Sequence, residues 1–120
     1  MKQYLYLLCI LVLMIGCENT KAIYHKISAK EAKQYIDNGA VMIDVRTSSE
    51  YQSYHIKDAI NMPSNTILAN IRKEYPNKDT VIIVYCASGN RSKSVANNLV
   101  RLGYTNIYDL GSIDNWTYKS

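Results

Sequence analysis

Seven consecutive residues hold the densest chemistry in the chain: Cys86-Ala87-Ser88-Gly89-Asn90-Arg91-Ser92. Cysteine reacts as the thiolate, a form favoured by helix N-termini and by neighbouring Arg or Lys. Val81-Ile82-Ile83-Val84-Tyr85, wholly β-branched and aromatic, reads as a buried strand running straight into Cys86. A helix opens near Arg91-Ser92. The short loop between them, permissive at Gly89, can curl until successive backbone N–H groups converge on the sulfur. That is an anion-binding nest closed by a helix N-terminus. Arg91 adds a charge that does not titrate away. The plainer reading makes Cys86 a small core hydrophobe, but it leaves the small, polar and cationic residues after it unexplained. For Arg91 the plainer reading is a solvated first-turn residue, at a position where the helix dipole disfavours a cation.

The elements that must position this loop can be read from pattern. Ile23 to Ile27 alternates weakly and suits a short edge strand. Ser28-Ala29-Lys30-Glu31 is a capping box, opening a helix with Ala32, Tyr35 and Ile36 on one face and Asn38-Gly39 at its end. Val41-Met42-Ile43-Asp44-Val45 reads as a buried parallel strand. Thr47-Ser48-Ser49-Glu50 is a second capping box, for a short helix through Tyr54. A brief strand over Ala59 to Met62 stops at Pro63. Thr66 to Tyr75 is helical in pattern, with Ile67, Leu68 and Ile71 inward. After the cysteine loop, Val95, Ala96, Leu99, Val100 and Leu102 form an apolar stripe that ends at Gly103. Asn106 to Leu110 is the last strand, with a short helical turn after it around Trp116. Alternating strands and helices give an α/β domain whose five-stranded, mainly parallel sheet carries helices on both faces. Ligands of such sheets bind beyond the carboxyl ends of the strands, where Cys86 falls.

The ends and composition bound the setting. Lys2 precedes an apolar run, Tyr4 to Ile15, and then come Gly16, Cys17 and the polar Glu18-Asn19-Thr20-Lys21. This is the layout of a secretory signal peptide, too short for the ~20 apolar residues of a membrane span. Met14-Ile15-Gly16-Cys17 is similar to the lipobox of bacterial lipoproteins, in which the cysteine is acylated and becomes the first mature residue. Residues 1–16 are therefore expected to be a cleaved signal, residues 17–22 a tether lipidated at Cys17, and residues 23–120 one domain. An exported, membrane-anchored protein of the cell envelope or periplasm is expected. Fourteen basic and ten acidic residues give only a mild positive excess, with no basic run, so nucleic acid is not the implied partner. Of three cysteines, Cys9 lies in the apolar run and Cys17 at its end. Cys86 is then alone in an exported chain, with no partner for a structural disulfide. An unpaired thiol outside a reducing compartment asks for a chemical reason.

Taken together, Cys86 to Ser92, Ile43-Asp44-Val45-Arg46, Glu50-Tyr51, His55-Ile56, Ala59-Ile60-Asn61-Met62-Pro63, Leu102-Gly103-Tyr104, Gly111 and Trp116 resemble the signatures of single-domain rhodaneses. The resemblance covers most of the chain after residue 22. It departs at Tyr54 and Asp58, where the family commonly has Gly, and at Gly111-Ser112, where it commonly has paired Gly. It implies a rhodanese-type sulfurtransferase: Cys86 takes a sulfur from a donor such as thiosulfate and passes it to a thiol, cyanide or protein acceptor. In that reading Cys86 and Arg91 are catalytic, and Ala87, Ser88, Gly89, Asn90 and Ser92 bind substrate. No metal and no organic cofactor is needed, and a monomer is expected. Asp44 is expected to tether loop amides, Arg46 to pair with Glu50 across the helix start, His55 to fix a turn and Trp116 to pack. Two rivals differ in class. A Cys-loop phosphatase or arsenate reductase would want a longer loop than the four residues Ala87 to Asn90. A non-catalytic, membrane-tethered protein-binding module has no use for an intact Cys86.

Overall fold

The computed structural model describes residues 23–119; the expected signal peptide, its expected cleavage point and the expected lipidation at Cys17 fall outside the described residues. Five strands, β1 (His25–Lys26), β2 (Val41–Asp44), β3 (Ile60–Asn61), β4 (Ile82–Cys86) and β5 (Ile107–Ser112), form one sheet in the order β1-β5-β4-β2-β3. Every neighbouring pair is parallel. Four helices, α1 (Ala29–Asp37), α2 (Ser48–Ser53), α3 (Ile67–Glu74) and α4 (Asn90–Arg101), connect them, and a 3-10 turn over Ile113–Asn115 comes after β5. The α/β class, the parallel sheet and the helices on both faces agree with the expectation from sequence.

Side chains alternate across a strand with period two, and the two faces of β4 show it. Ile82, Val84 and Cys86 pack with Ile43, Val45 and Ile107 beneath Ile67 and Ile71 of α3 and Val95, Ala96 and Leu99 of α4. Ile83 and Tyr85 face the other way, joining Met42, Leu110, Ile56, Ala59 and the α1 residues Ala29 and Ala32. All five residues of β4 are buried, because both faces are covered. Tyr85 carries a hydroxyl into that core, where it accepts the Ile56 N–H at 3.1 Å. Burial of the ring raises its pKa above the ordinary tyrosine value. The sheet's edges are short, two residues each at β1 and β3, which limits the unpaired backbone they offer. Tyr35 sits at the rim instead of the core, tilted against Tyr108 with 4.7 Å between ring centroids.

The strand boundaries move by a residue or two from those read in the sequence, and the shifts matter at the site. β4 begins at Ile82 and includes Cys86 as its last residue. β5 runs on to Ser112. Between them the register slips: Val84 faces Asp109, but Tyr85 faces Gly111 and Cys86 faces Ser112. One extra residue, Leu110, is thus a bulge in β5, and a bulge re-aims the residues after it. Its effect is to set Ser112 beside Cys86 at the end of β4.

The departures from the family's glycines separate by backbone angle. Tyr54 lies at φ −167, extended backbone open to any residue. Asp58 lies at φ 65, alone among the described non-glycine residues in having a positive φ. Left-handed backbone costs an L-residue roughly 1–2 kcal/mol, less for Asp than for a β-branched residue. Two opposite substitutions are therefore predicted to move stability in opposite directions. Asp58→Gly should stabilise by about 0.5 kcal/mol, the relief exceeding the extra entropy of an unfolded glycine. Asp58→Val should destabilise by about 1–2 kcal/mol. Urea unfolding midpoints of both variants check this, and a loss in the glycine variant would contradict it.

Candidate active site

Helix α4 starts without a side-chain cap: its N-cap residue, Gly89, sits at φ 100 in the left-handed region. The orphan N–H groups of a helix start need acceptors. Here the acceptor is sulfur. The N–H of Ser92, third residue of α4, points at Cys86 Sγ from 3.3 Å, and the N–H of Gly89 does so from 3.0 Å. The thiol in turn reaches the Ser92 hydroxyl at 3.5 Å, and that hydroxyl donates to the Gly89 carbonyl at 3.1 Å. A hydroxyl rotates to suit its neighbours, so Ser92 can receive an S–H or donate to a bare sulfur. Cys86 is fully buried among Val95, Ala96 and other core residues. Burial alone would fit an inert core cysteine. Two amides and a hydroxyl gathered on the sulfur would not.

The rest of the loop is tied from β5 on one side and from α2 on the other. The Ala87 carbonyl accepts the Ser112 hydroxyl at 2.6 Å, a tether supplied where the family commonly has a second glycine. Gly111 keeps a positive φ of 82, and a Cβ there would press to 3.2 Å on the Asn115 side chain. Ser88 and Asn90 are exposed on the loop's outer side. With Gly89 they form one wall of a cleft of about 480 Å³, which Lys26, Lys93, Asp109 and Asn115 also line. The residues expected to bind substrate therefore divide. Ser92 and the Gly89 N–H face the sulfur, and Ser88 and Asn90 face the cleft.

Arg91 does not point at the sulfur. Its guanidinium forks onto Glu50, with Nη1–Oε1 at 2.8 Å and Nη2–Oε2 at 3.1 Å. The hydrogen bond from Arg91, then the Thr47 N–H of the capping box, pulls the Glu50 carboxyl down to about 2. Glu50 in turn raises the Arg91 pKa, to which the nearby Cys86 charge adds. The expected pairing of Arg46 with Glu50 does not occur. Arg46 turns instead to the fully buried Asp44, with Nη2–Oδ2 at 2.7 Å, and also donates to the Tyr54 carbonyl. Asp44 stands two residues away at the same strand end, in reach without crossing α2, and a buried carboxylate needs a partner more than a half-exposed one does. Asp44 does tether one loop amide, the N–H of Arg46 at 2.9 Å. His55 stacks on Tyr51 at 3.8 Å, and its Nδ1 meets the Tyr51 carbonyl at 2.9 Å, fixing the turn after α2. Trp116 packs against the core on the α1 face. Sequence reasoning missed Glu50 and Ser112 as supports of the loop. The Glu50-Tyr51 signature was a signal for the first; nothing short of the bulge signals the second.

A parallel α/β domain that presents one cysteine sulfur inside a nest of amides, at the carboxyl end of its central strand, is built to stabilise charge on that sulfur. Comparison with known proteins gives the class a family. The model of the rhodanese-like domain matches residues 28–119, and the chain belongs to that family. It is 32% identical over 94 residues to the thiosulfate sulfurtransferase GlpE of Pseudomonas savastanoi, covering 78% of this chain and 87% of that protein. It is 34% identical over 71 residues to the thiosulfate sulfurtransferase PspE of Escherichia coli, covering 59% of this chain and 68% of that one. Among solved structures, the thiosulfate sulfurtransferase from Pseudomonas aeruginosa superposes with a TM-score of 0.70 at 28% identity, over 78% of this chain and 19% of that one. All three of these relatives carry the name thiosulfate sulfurtransferase.

The Arg91–Glu50 pair carries a pH-dependent prediction. Glu50 has a folded pKa below its ordinary value, so the stability it contributes is present above about 4.5 and lost as pH falls through about 2. With both side chains about one-third exposed, solvent screening limits that stability to about 0.5–1 kcal/mol. Glu50→Gln keeps the capping geometry and removes the charge. The urea midpoints of parent and variant should differ at pH 6 and converge between pH 4.5 and 2. A difference that persists unchanged across that window would show that the pair contributes none of it.

Proposed function

We propose that the chain moves a sulfane sulfur from a small donor such as thiosulfate to a thiol or cyanide acceptor, carrying it as a persulfide on Cys86. The observation that carries this reading is the convergence of the Gly89 and Ser92 N–H groups on Cys86 Sγ. In the first step the Cys86 thiolate attacks the outer sulfur of thiosulfate. The donor's S–S bond breaks and its electron pair leaves with sulfite. In the second step an acceptor nucleophile attacks the outer sulfur of the persulfide, and the pair of that S–S bond returns to Cys86. One difficult transfer becomes two easier ones. The loop amides are fixed donors for charge on sulfur in both steps, and they need no reorganisation at the moment of reaction. The resting sulfur is fully covered, so a donor reaches it only when a neighbouring group gives way.

The position of Arg91 weighs against phosphoryl chemistry. A phosphatase needs its loop cation aimed at the oxyanion above the sulfur, and here both terminal nitrogens of Arg91 are engaged by Glu50. A purely protein-binding role leaves the amides around Cys86 without a purpose. Residues 1–16 are proposed as a cleaved signal and Cys17 as the acylated anchor, on the pattern of an apolar run ending in Gly16-Cys17. Dual acylation of that kind holds a protein at a membrane where one chain does not.

Two experiments test these readings. Mass spectrometry of the protein after thiosulfate treatment should show one added sulfur on Cys86, removable by cyanide and absent in Cys86→Ser. Aryl-phosphate hydrolysis by the parent that disappears in Cys86→Ser, with no sulfur gained, would put the phosphatase reading in its place. For the anchor, Cys17→Ala should leave the membrane fraction or block processing. Equal membrane association with normal cleavage would refute lipidation.

A further inference from the structure

A cleft of about 480 Å³ lies on the outer side of the Ser88-Gly89-Asn90 arc, and Cys86 is not in its lining. A molecule seated there does not touch the sulfur, so the cleft stands apart from the transfer chemistry. Its volume is that of ordinary small-molecule sites, ~300–1,000 Å³. Open acceptors stand at its β5 end. Asp109 is 6% exposed, and its Oδ1 takes the Gly111 N–H at 2.8 Å. Oδ2 has no hydrogen-bond or ion-pair partner among the described residues. Nor is that oxygen sealed in: the one sealed side-chain polar atom without a partner among the described residues is Trp116 Nε1. Asp109 Oδ2 is therefore open to the cleft it lines. A buried carboxylate oxygen with no donor is a costly arrangement and marks a place for one. Asn115 spends its amide N–H on the Leu110 carbonyl at 2.8 Å, which leaves its side-chain oxygen as a second acceptor.

Open cations stand across from them. Lys26 is the register partner of Asp109 on β1, and Lys93 lies on the first turn of α4. Neither makes an ion pair or a cation–π contact with a described residue. Glu31, which lines a smaller neighbouring cleft with Lys26, is held in its own capping box. The cleft thus offers one carboxylate with a free oxygen and two unpaired ammonium groups. We infer that it is a binding site for acidic amino acids, whose one ammonium and two carboxylates are the complement of that set. The ligand's ammonium donates to Asp109 Oδ2 and the Asn115 oxygen, and its carboxylates face Lys26 and Lys93. A simple anion would leave Asp109 unsatisfied and would be repelled by it; a simple amine would leave both lysines unused.

The test is direct binding to the full-length protein, by calorimetry, with no sulfur transfer in the readout. The probes are L-glutamate, L-aspartate, glutarate, which lacks the ammonium, and 4-aminobutyrate, which lacks one carboxylate. Glutamate or aspartate should bind one to one and about tenfold more tightly than glutarate, the scale of one charge-assisted hydrogen bond. The advantage over 4-aminobutyrate should be about fivefold, the scale of a partly exposed charge contact. Asp109→Asn keeps an oxygen for the Gly111 N–H and should erase the preference over glutarate. Lys93→Gln, on the exposed side of α4, should narrow the preference over 4-aminobutyrate and leave the fold alone, so it decides the matter even if Asp109→Asn fails to fold. Absence of saturable binding by both amino acids would overturn the site. Equal affinity for glutarate in the parent would overturn it too, leaving a cleft that reads negative charge only. Binding unmoved by either substitution would place the ligand elsewhere. Because sulfur on Cys86 is read separately by mass, failure here and failure of the sulfurtransferase reading are distinguishable.

Discussion

A sulfur atom caps a helix in this protein. The first turn of α4 offers N–H groups with no side chain to receive them, and Cys86 Sγ, at the end of the preceding strand, takes the N–H of Ser92 while the intervening turn delivers that of Gly89. The arrangement demands a tight turn between strand and helix, and only left-handed backbone at Gly89 makes it. Space is not the reason for glycine there. A Cβ at residue 89 would meet Gly111 and Ser112 only at ordinary contact distances of 3.7 Å and more. The constraint is torsional. Because the helix dipole and the orphan amides favour negative charge at this point, the same geometry that starts the helix can stabilise charge on the sulfur. Folding and reactivity draw on one set of bonds.

Everything around the loop serves to keep that turn closed. Ser112 ties the Ala87 carbonyl from β5, and it stands in register with Cys86 because of the bulge at Leu110. Arg91, two residues into α4, is tied to Glu50, which is itself fixed by the capping box at Thr47. Thr47 comes directly after Arg46, whose guanidinium is locked on Asp44 at the end of β2. The loop is thus braced by the carboxyl ends of β2 and β5, the two strands flanking β4. A buried pair such as Asp44–Arg46 does little for net stability once desolvation is counted. Its effect here is geometric, since it sets the direction in which the chain leaves β2 toward α2.

Much of this was legible in the sequence, and what escaped has a common physical cause. The two capping boxes, the buried run of β4, the helix stop at Gly103 and the loop's conjunction of Cys, Gly and Arg are local signals, each written within a few residues. The Glu50–Arg91 fork spans 41 positions, and two of the chain's four arginines, Arg46 and Arg91, stand in the motifs around the site. Local distance along the chain favoured Arg46; the buried carboxylate of Asp44 claimed it first. The register slip in β5 is likewise invisible without the sheet, because Asp109-Leu110-Gly111 reads as an ordinary strand end. The glycine departures were legible as departures but not as consequences. Backbone angle, known only from the fold, shows that position 54 does not need glycine and position 58 would be eased by one.

The charges around the loop are distributed unevenly, and that unevenness arises from the bracing. On the side of β2 and α2, Asp44 with Arg46 and Glu50 with Arg91 cancel pairwise, so the groups that hold the loop present almost no net field. On the side of β1 and β5 the balance differs. Lys26 and Lys93 outnumber Asp109, one oxygen of which holds the Gly111 amide. The loop therefore separates an electrically quiet wall from a positive one. Close-range stabilisation of charge on Cys86 falls to the backbone amides, which do not diffuse or titrate, and longer-range attraction falls to lysines on one side only.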